Sequence, residues 1–275
     1  EALGEETRAR GCSVLLGPCV NIHRHPLGGR NFESYSEDPY LSSRMTVAYI
    51  RGLQKKRVAV SVKHFALNNQ EFERMSISSE VGERAMREIY FPSFEKAVRE
   101  AGAWTVMCSY NRINGTHASE NRWLLTDVLR KEWGFDGLVM SDWFAVHATA
   151  PAANSGLDLE MPGPPLHFGE KLVAAVKNGE VPETAIDACI RHVLGLLEKT
   201  GAFDNPAVFT ESGASVAAHS ALARQAAAEA VVLLKNDGGI LPLDVKKLAS
   251  VAVIGPTAAV AAVQGGGSAQ VVLYY

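Results

Sequence analysis

The stretch "GFDGLVMSDW" (134–143) carries the strongest indication of the fold. Its apolar run 138–140 stops at Ser141 and Asp142, and Trp143 follows the acid directly. A short apolar run that ends in polar residues is typical of a buried strand, and in barrel enzymes such strand ends carry the chemistry. Asp142 therefore has two interpretations: a cap for a following helix, or a reactive carboxylate with an aromatic ring beside it.

Other apolar runs share this pattern and alternate with amphipathic stretches. The further strand predictions are "CSVLLG" (12–17), "VAVSVKHF" (58–65), "WTVMCSY" (104–110) and "GLDLEM" (156–161). The helix predictions are 39–56, 80–101, 121–133, 143–154, 168–178 and 182–198. Because strands and helices alternate, we expect a parallel sheet covered by helices. No G-x-G-x-x-G follows a strand, which disfavours a dinucleotide-binding fold.

The predicted fold class is α/β, with a (β/α)8 TIM-barrel-like domain over residues 1–200. Fewer strands are evident than the barrel requires, and the chain begins inside an amphipathic helix, so we expect this domain to be incomplete. Residues 201–225 are interpreted as a linker and leading helix. Residues 226–275, with strands predicted at 231–235 and 250–256, are interpreted as the truncated start of an α/β sandwich domain.

Composition excludes several classes of protein. The chain has 275 residues, is 47% hydrophobic and carries a formal net charge of −3. No basic block indicates nucleic acid, and no apolar run reaches the ~20 residues of a membrane helix. The cysteines form no C-x-x-C pair, and "HRH" (23–25) has no partnering acid or cysteine cluster, so no metal is expected.

Asn114-Gly115-Thr116 matches a glycosylation sequon, but Asn-Gly is also a turn signal, and we predict a turn.

Polar side chains follow the predicted strands, and in a barrel these strand ends meet at one mouth. The residues concerned are Arg30, Lys63, His64, Arg74, Tyr110 and Asp142, with Met107 and Trp143 close by. Cations near a carboxylate keep it ionised, which suits a nucleophile better than a general acid. Arginine and lysine donors match the vicinal hydroxyls of a sugar, and a tryptophan face can stack on a pyranose ring.

Each of these residues also has a simpler interpretation. The pair Lys63-His64 could lie in a solvated turn, and Arg30 could merely pair with Glu33 or Glu37. Asp142 could cap a helix, and the side chains of Tyr110 and Met107 could belong to the core. The joint position of these residues at strand ends favours a site.

Together these motifs resemble glycoside hydrolase family 3, of the β-glucosidase and β-xylosidase type. The similar segments are "GPCVNIHRHPLGGRNFESYSEDPYL" (17–41), "KHFALNNQEFERM" (63–75), "VMCSYNRING" (106–115), "GFDGLVMSDW" (134–143), "GLDLEMPG" (156–163) and "AAAEAVVLLKNDGGILPL" (226–243). They span nearly the whole chain in the family's order. The "KHFALNNQE" form differs from the "KHFPGHG" form of the family's N-acetylglucosaminidases, so it favours a glucosidase or a xylosidase.

The resemblance implies a role for each site residue. Asp142 matches the nucleophile, and Trp143 its neighbour in the sugar site. The residues that match ligands of the sugar hydroxyls are Arg30, Lys63, His64 and Arg74. Met107 and Tyr110 match residues that line the sugar site, and Ser268 matches, by a looser alignment, a serine that the second domain sends to the site. A retaining mechanism with two carboxyl groups is implied, without metal or organic cofactor. The general acid/base Glu is expected beyond residue 275, and an early acidic sugar ligand before residue 1.

The expected function is that of a retaining exo-acting β-glucosidase, which releases terminal non-reducing β-D-glucosyl residues from a small or oligosaccharide β-glycoside. A β-xylosidase of the same family stays open, as does a sugar-binding protein without catalysis. A barrel isomerase or aldolase with Lys63 as a Schiff base is a weaker alternative. No nucleic-acid or membrane partner is expected, self-association stays open, and the compartment is not indicated.

Overall fold

The computed structural model describes residues 1–205 and 216–264. The chain divides into two compact units, Glu1–Ser212 and Gly213–Tyr275. Among the residues described, no helix has the length and apolar character needed to cross a membrane.

The first unit is organised around a parallel sheet. In chain order its strands are β1 (Val14–Leu15), β2 (Ala59–Phe65), β3 (Ser78–Ser79), β4 (Thr105–Cys108), β5 (Arg112–Ile113), β6 (Thr116–His117) and β7 (Leu138–Met140). The parallel sheet has the order β1-β2-β4-β7, and β3, β5 and β6 form a small separate sheet. Leu159 adds an isolated parallel bridge to Met140, so the run predicted at 156–161 lies beside β7 without forming a full strand. The predicted α/β class with a parallel sheet is confirmed.

Helices precede and connect the strands of the parallel sheet, and others follow its last strand. They are α1 (Ala2–Ala9), α2 (Pro39–Gln54), α3 (Glu83–Ala85), α4 (Pro92–Arg99), α5 (Thr149–Ser155), α6 (Glu170–Lys177), α7 (Glu183–Thr200) and, in the second unit, α8 (Ala217–Glu229). Two π-helical segments, Met86–Tyr90 and Trp123–Glu132, complete the helical structure of the first unit. Short 3₁₀ turns lie at Asn31–Glu33, Ala118–Glu120 and Val245–Lys247. Helix α2 packs on α4, and both contact β2.

Two helix predictions are corrected by the structure. The helix predicted over 80–101 is divided, because Pro92 has no N–H to donate and begins a new helix at its first turn. The helix predicted over 143–154 begins only at Thr149. Phe144 has a left-handed φ of 66° and donates its N–H to Met161 O at 2.9 Å, so its backbone is held outside helical geometry.

The aromatic core lies behind β2, which is buried along almost its whole length. The ring of Phe65 lies 5.0 Å from that of Phe94 and 5.7 Å from that of Trp133 between centroids. Both pairs are tilted, as is favourable for aromatic rings. A strand that is buried on both faces needs no alternation of polar and apolar residues, which explains the continuous run "AVSV" in β2.

A buried carboxylate ties β7 to the bridge at residue 159. Asp158 Oδ2 accepts hydrogen bonds from the Val139 backbone at 2.7 Å and from Arg130 Nη2 at 2.6 Å. Its other oxygen lies 2.8 Å from His192 Nδ1, on α7. This network fixes the register of the strand that leads to Asp142.

The turn prediction at Asn114-Gly115 is confirmed. Asn114 has a φ of 48° and Gly115 a φ of 88°, and together they connect β5 and β6 as an antiparallel hairpin. Left-handed φ values at both turn positions are what an Asn-Gly hairpin favours.

In the second unit, described over residues 216–264, the Ala-rich stretch forms α8 as predicted. The strands predicted at 231–235 and 250–256 are not formed in this described part, so those two predictions are wrong. Their apolar side chains are exposed; Leu234 and Ile254, for example, are exposed by more than nine-tenths. A strand needs a neighbour for its backbone hydrogen bonds, and no ladder forms between these described segments.

Candidate active site

Asp142 lies just beyond the carboxyl end of β7 and is 7% exposed. Its Oδ1 accepts a hydrogen bond from the Trp143 backbone N–H at 2.7 Å. Its Oδ2 is buried and has no hydrogen-bond donor among the described residues. Helix α5 begins seven residues later and has Ala148 at its N-cap, so Asp142 does not cap it. The structure therefore excludes the helix-cap interpretation.

The electrostatics of Asp142 differ from the expectation that its cationic neighbours dominate. Burial raises the pKa of Asp142 above its ordinary value. The Trp143 amide, the Tyr110 hydroxyl, Arg30 and Lys63 each lower that pKa, but their combined effect is smaller than that of burial. The predicted direction of the pKa shift was wrong, because the loss of hydration on burial raises the pKa by more than the neighbouring donors and charges lower it.

His64 faces the unpartnered oxygen of Asp142. Its Nε2 lies 3.4 Å from Asp142 Oδ2. The Asn21 amide holds the backbone of His64 at two points, because Nδ2 donates to His64 O at 3.0 Å and Oδ1 accepts from His64 N at 2.9 Å. Burial, followed by the charges of Arg30 and Lys63, lowers the pKa of His64 well below its usual range. The imidazole is therefore neutral at physiological pH.

Two cations converge on Glu33. Arg30 Nε donates to Glu33 Oε1 in a short ion pair, and Lys63 Nζ lies 3.9 Å from Glu33 Oε2. The simpler interpretation of Arg30, that it pairs with Glu33, is thus correct. The pairing also keeps Arg30 beside Lys63 and His64, so it does not remove the residue from the site.

Arg74, from the loop after β2, and Tyr110, which follows β4, form another side of the site. The guanidinium of Arg74 lies 4.6 Å from the centroid of the Tyr110 ring, and Arg74 Nη1 donates to Glu71 Oε2 at 2.7 Å. Burial and the charge of Asp142 raise the pKa of Tyr110 to about 12. Its hydroxyl therefore keeps its proton and can donate toward Asp142.

Met107 and Trp143 contribute an apolar wall. Met107 is fully buried in a cluster with Leu138 and Met140, and Trp143 packs against this cluster. Met107 is thus a core residue, as its simpler interpretation predicted, and it belongs to the cluster on which Trp143 packs. Ser268 lies outside the described residues.

Four neighbours of the site were not singled out as functional from the sequence. They are Cys19, Asn21, Glu33 and Glu71. Cys19 is a buried free thiol whose Sγ lies 3.7 Å from His64 Nδ1 and accepts a hydrogen bond from Ser34. The signal in the sequence was their position near the predicted site residues, since all four lie inside the motifs 17–41 and 63–75. Among the described residues no group of three or more metal-ligating side chains comes together.

Active sites of barrel enzymes lie at the carboxyl ends of the parallel strands, which is where Lys63, His64 and Asp142 lie in this sheet. The model of the glycosyl hydrolase family 3 N-terminal domain matches residues 1–196, and that of the family 3 C-terminal domain matches residues 231–275. The chain belongs to glycosyl hydrolase family 3.

Curated relatives with high identity are β-glucosidases and an arabinopyranosidase. The chain is 55% identical to a β-glucosidase of Rhizobium radiobacter over its whole length, covering 33% of that protein. It is 49% identical to β-glucosidase B of Emericella nidulans, again covering 33% of the relative. It is 47% identical to an exo-α-(1→6)-L-arabinopyranosidase of Bifidobacterium longum, with 98% of the chain and 36% of the relative covered. The chain thus spans about a third of the length of these relatives.

Solved structures confirm the barrel-like fold of the first unit. The family 3 β-glucosidase of Bifidobacterium adolescentis matches with a TM-score of 0.82 and 48% identity, covering 88% of this chain and 35% of that one. The β-glucosidase 3B of Thermotoga neapolitana in complex with α-D-glucose matches with a TM-score of 0.82 and 44% identity, covering 88% of this chain and 34% of that one. The TIM-barrel-like assignment is therefore correct.

Proposed function

We propose that this chain carries the nucleophile half of a retaining exo-acting β-glucosidase, with Asp142 as the nucleophile. The observation that carries the proposal is the asymmetry of its carboxylate. Oδ1 is held by a backbone N–H, while Oδ2 is buried, lacks a donor among the described residues and faces His64. An oxygen left unpartnered in a buried site is available to attack a substrate carbon.

The reaction proceeds in two displacements. Asp142 Oδ2 attacks the anomeric carbon, and the bond from that carbon to the leaving oxygen breaks as the glycosyl-enzyme ester forms. A carboxylic acid outside this chain supplies the proton that the leaving oxygen takes. The same group then removes a proton from water, which attacks the anomeric carbon and releases Asp142 with retention of configuration. The cationic side chains of Arg30, Lys63 and Arg74, which lie near the acid, donate hydrogen bonds to the sugar hydroxyls.

The glucosyl specificity is supported by the relatives. Two of the relatives described above are named β-glucosidases, and one solved neighbour holds glucose. The related arabinopyranosidase shows that a chain of similar sequence accepts another pyranose. We therefore propose glucose as the terminal sugar, and a panel of nitrophenyl glucoside, xyloside and arabinopyranoside distinguishes it from the alternatives.

The first prediction concerns Asp142→Asn in the full-length protein. We expect kcat/KM for nitrophenyl β-glucoside to fall by roughly 10⁴-fold or more, because the amide cannot form the glycosyl ester. A 2-fluoro glucoside should label the unaltered protein on the peptide that contains Asp142, as measured by mass spectrometry. Asp136→Asn is the matched control, since Asp136 is highly exposed in the same segment and its nearest ion-pair partner is Lys199 at 3.8 Å.

Hydrolysis at a near-normal rate by Asp142→Asn would exclude the proposal. Glucose binding by the unaltered full-length protein, without turnover of any glycoside in the panel, would instead support a sugar-binding protein without catalysis.

A further inference from the structure

Glu71 lies in the loop 66–77, which connects β2 to β3 through turns alone. Its carboxylate has three partners. Oε2 accepts from Arg74 Nη1 at 2.7 Å, and Oε1 accepts from Asn68 Nδ2 at 3.2 Å and lies 4.0 Å from Arg30 Nε. The side chain is 22% exposed, so these contacts are only partly screened by solvent.

The two arginines come from different parts of the chain. Arg30 precedes the 3₁₀ turn Asn31–Glu33, and Arg74 lies near the end of the loop after β2. One carboxylate therefore joins the segment before α2 to the loop after β2. Both arginines also affect the same groups of the site, because the charge of each lowers the pKa of His64 and the pKa of Tyr110.

Long arginine side chains and clustered positive charges both oppose an ordered site. An arginine that is free in solvent loses rotamer freedom when it binds a sugar hydroxyl. Arg30, Arg74 and Lys63 also repel one another. Glu71 hydrogen-bonds Arg74 and lies close to Arg30, whose shorter ion pair is with Glu33, so its charge offsets the repulsion and helps to order both side chains before the substrate arrives.

We propose that Glu71 is a positioning residue, whose carboxylate holds Arg30 and Arg74 in the orientation that receives the sugar hydroxyls. Both of its oxygens are already used by protein donors, so Glu71 acts through the arginines and not on the sugar. This inference rests on the proposed function, and it adds a determinant of substrate binding that lies outside the nucleophile's own contacts.

The test is Glu71→Gln in the full-length protein. Glutamine keeps the size of the side chain and an oxygen for Asn68, but it loses the charge. We expect KM for nitrophenyl β-glucoside to rise by about 10- to 100-fold with a smaller change in kcat. The Kd for glucose, measured by calorimetry, should rise by a similar factor. Glu73→Gln is the matched control, because Glu73 is exposed on the same loop, and KM should be unchanged.

A second set of variants separates positioning from folding. Glu71→Asp keeps the charge and should restore part of the affinity that Glu71→Gln loses. Because Glu71 is proposed to act through Arg74, the double variant Glu71→Gln/Arg74→Gln should bind glucose less weakly than the product of the two single effects predicts.

Three results would overturn the proposal: unchanged KM and Kd in Glu71→Gln, fully additive effects in the double variant, or loss of the folded state in both Glu71 variants. A failure of the proposed function would look different, because the unaltered full-length protein would then not hydrolyse nitrophenyl β-glucoside.

Discussion

At the scale of the residue, Asp142 combines two conditions that oppose stability. Its carboxylate is buried, and one of its oxygens has no donor among the described residues. Burial raises its pKa, so the charged form is disfavoured in the folded protein relative to the unfolded chain. An acid in such surroundings lowers the free energy of unfolding, a cost that is common where a site is built for activity.

We therefore predict that Asp142→Asn stabilises the protein at neutral pH. The folded pKa of Asp142 lies above its unfolded value, so the folded state binds more protons between those two values. The gain from asparagine should be complete above the folded pKa and should vanish as the pH falls below the unfolded value near 3.8. Thermal unfolding at neutral and acidic pH measures this difference. A lower melting temperature for Asp142→Asn at neutral pH would contradict the prediction.

The convergence of the candidate site residues could be predicted, but their interactions could not. Asp142 and the cations Arg30, Lys63 and Arg74 each follow a strand or lie in a motif, so their meeting at one edge follows from a parallel sheet. Glu71 lies in the same motif as Arg74, but its contacts depend on a loop without regular structure, so they could not be predicted. The direction of the pKa shift also needs the degree of burial, which the order of the residues does not supply.

At the scale of the element, β7 begins at a close backbone contact with Trp104, the residue before β4. Leu138 N donates to Trp104 O at 3.0 Å, and Gly137 lies directly against that carbonyl. A Cβ on Gly137 would lie 2.3 Å from Trp104 O and 2.7 Å from a ring carbon of Phe135. The glycine is therefore required by the approach of two backbones, and it precedes the strand that ends at Asp142.

We predict that Gly137→Ala destabilises the protein by about 1–3 kcal/mol, because β7 must move away from Trp104 or strain its backbone. Urea denaturation measures the free energy of unfolding. Gly82→Ala is the matched control, since Gly82 has a φ of −72° and no atom within 4 Å of the added Cβ. The control should be neutral or slightly stabilising. Equal stabilities for the two variants would contradict this account.

Element types were predictable from periodicity, whereas several boundaries were not. The helix at 39–54 was predicted nearly to its ends, because Asp38 caps it and Pro39 occupies its first turn. The helix expected from 143 failed because Phe144 N bonds to Met161 O, a partner distant in sequence. Tertiary hydrogen bonds of this kind leave no trace in local periodicity.

At the scale of the whole molecule, the folded chain keeps several histidines neutral. Burial is the first cause that lowers the pKa of His64, His117 and His147. The rings of His117 and His147 stack at 3.7 Å between centroids, so protonating both would place two charges together. Below a pH of about 6.5 the unfolded chain therefore binds more protons than the folded chain.

We predict that the free energy of unfolding falls as the pH drops from about 7 to about 5.5, because the stability from neutral histidines is present above the unfolded pKa and lost below it. Urea denaturation of the first unit at both pH values measures the change. The variant His147→Gln should lose part of this dependence. Stability that is constant or rises toward pH 5.5 would refute the prediction.

The bond between Trp143 N–H and Asp142 Oδ1 has a consequence for how this sequence can diverge. The donor belongs to the backbone, and every amino acid except proline retains it. The indole ring can therefore be exchanged for another side chain while the acid keeps its anchor. Selection, or a protein engineer, can thus vary the surface next to Asp142 without releasing its carboxylate.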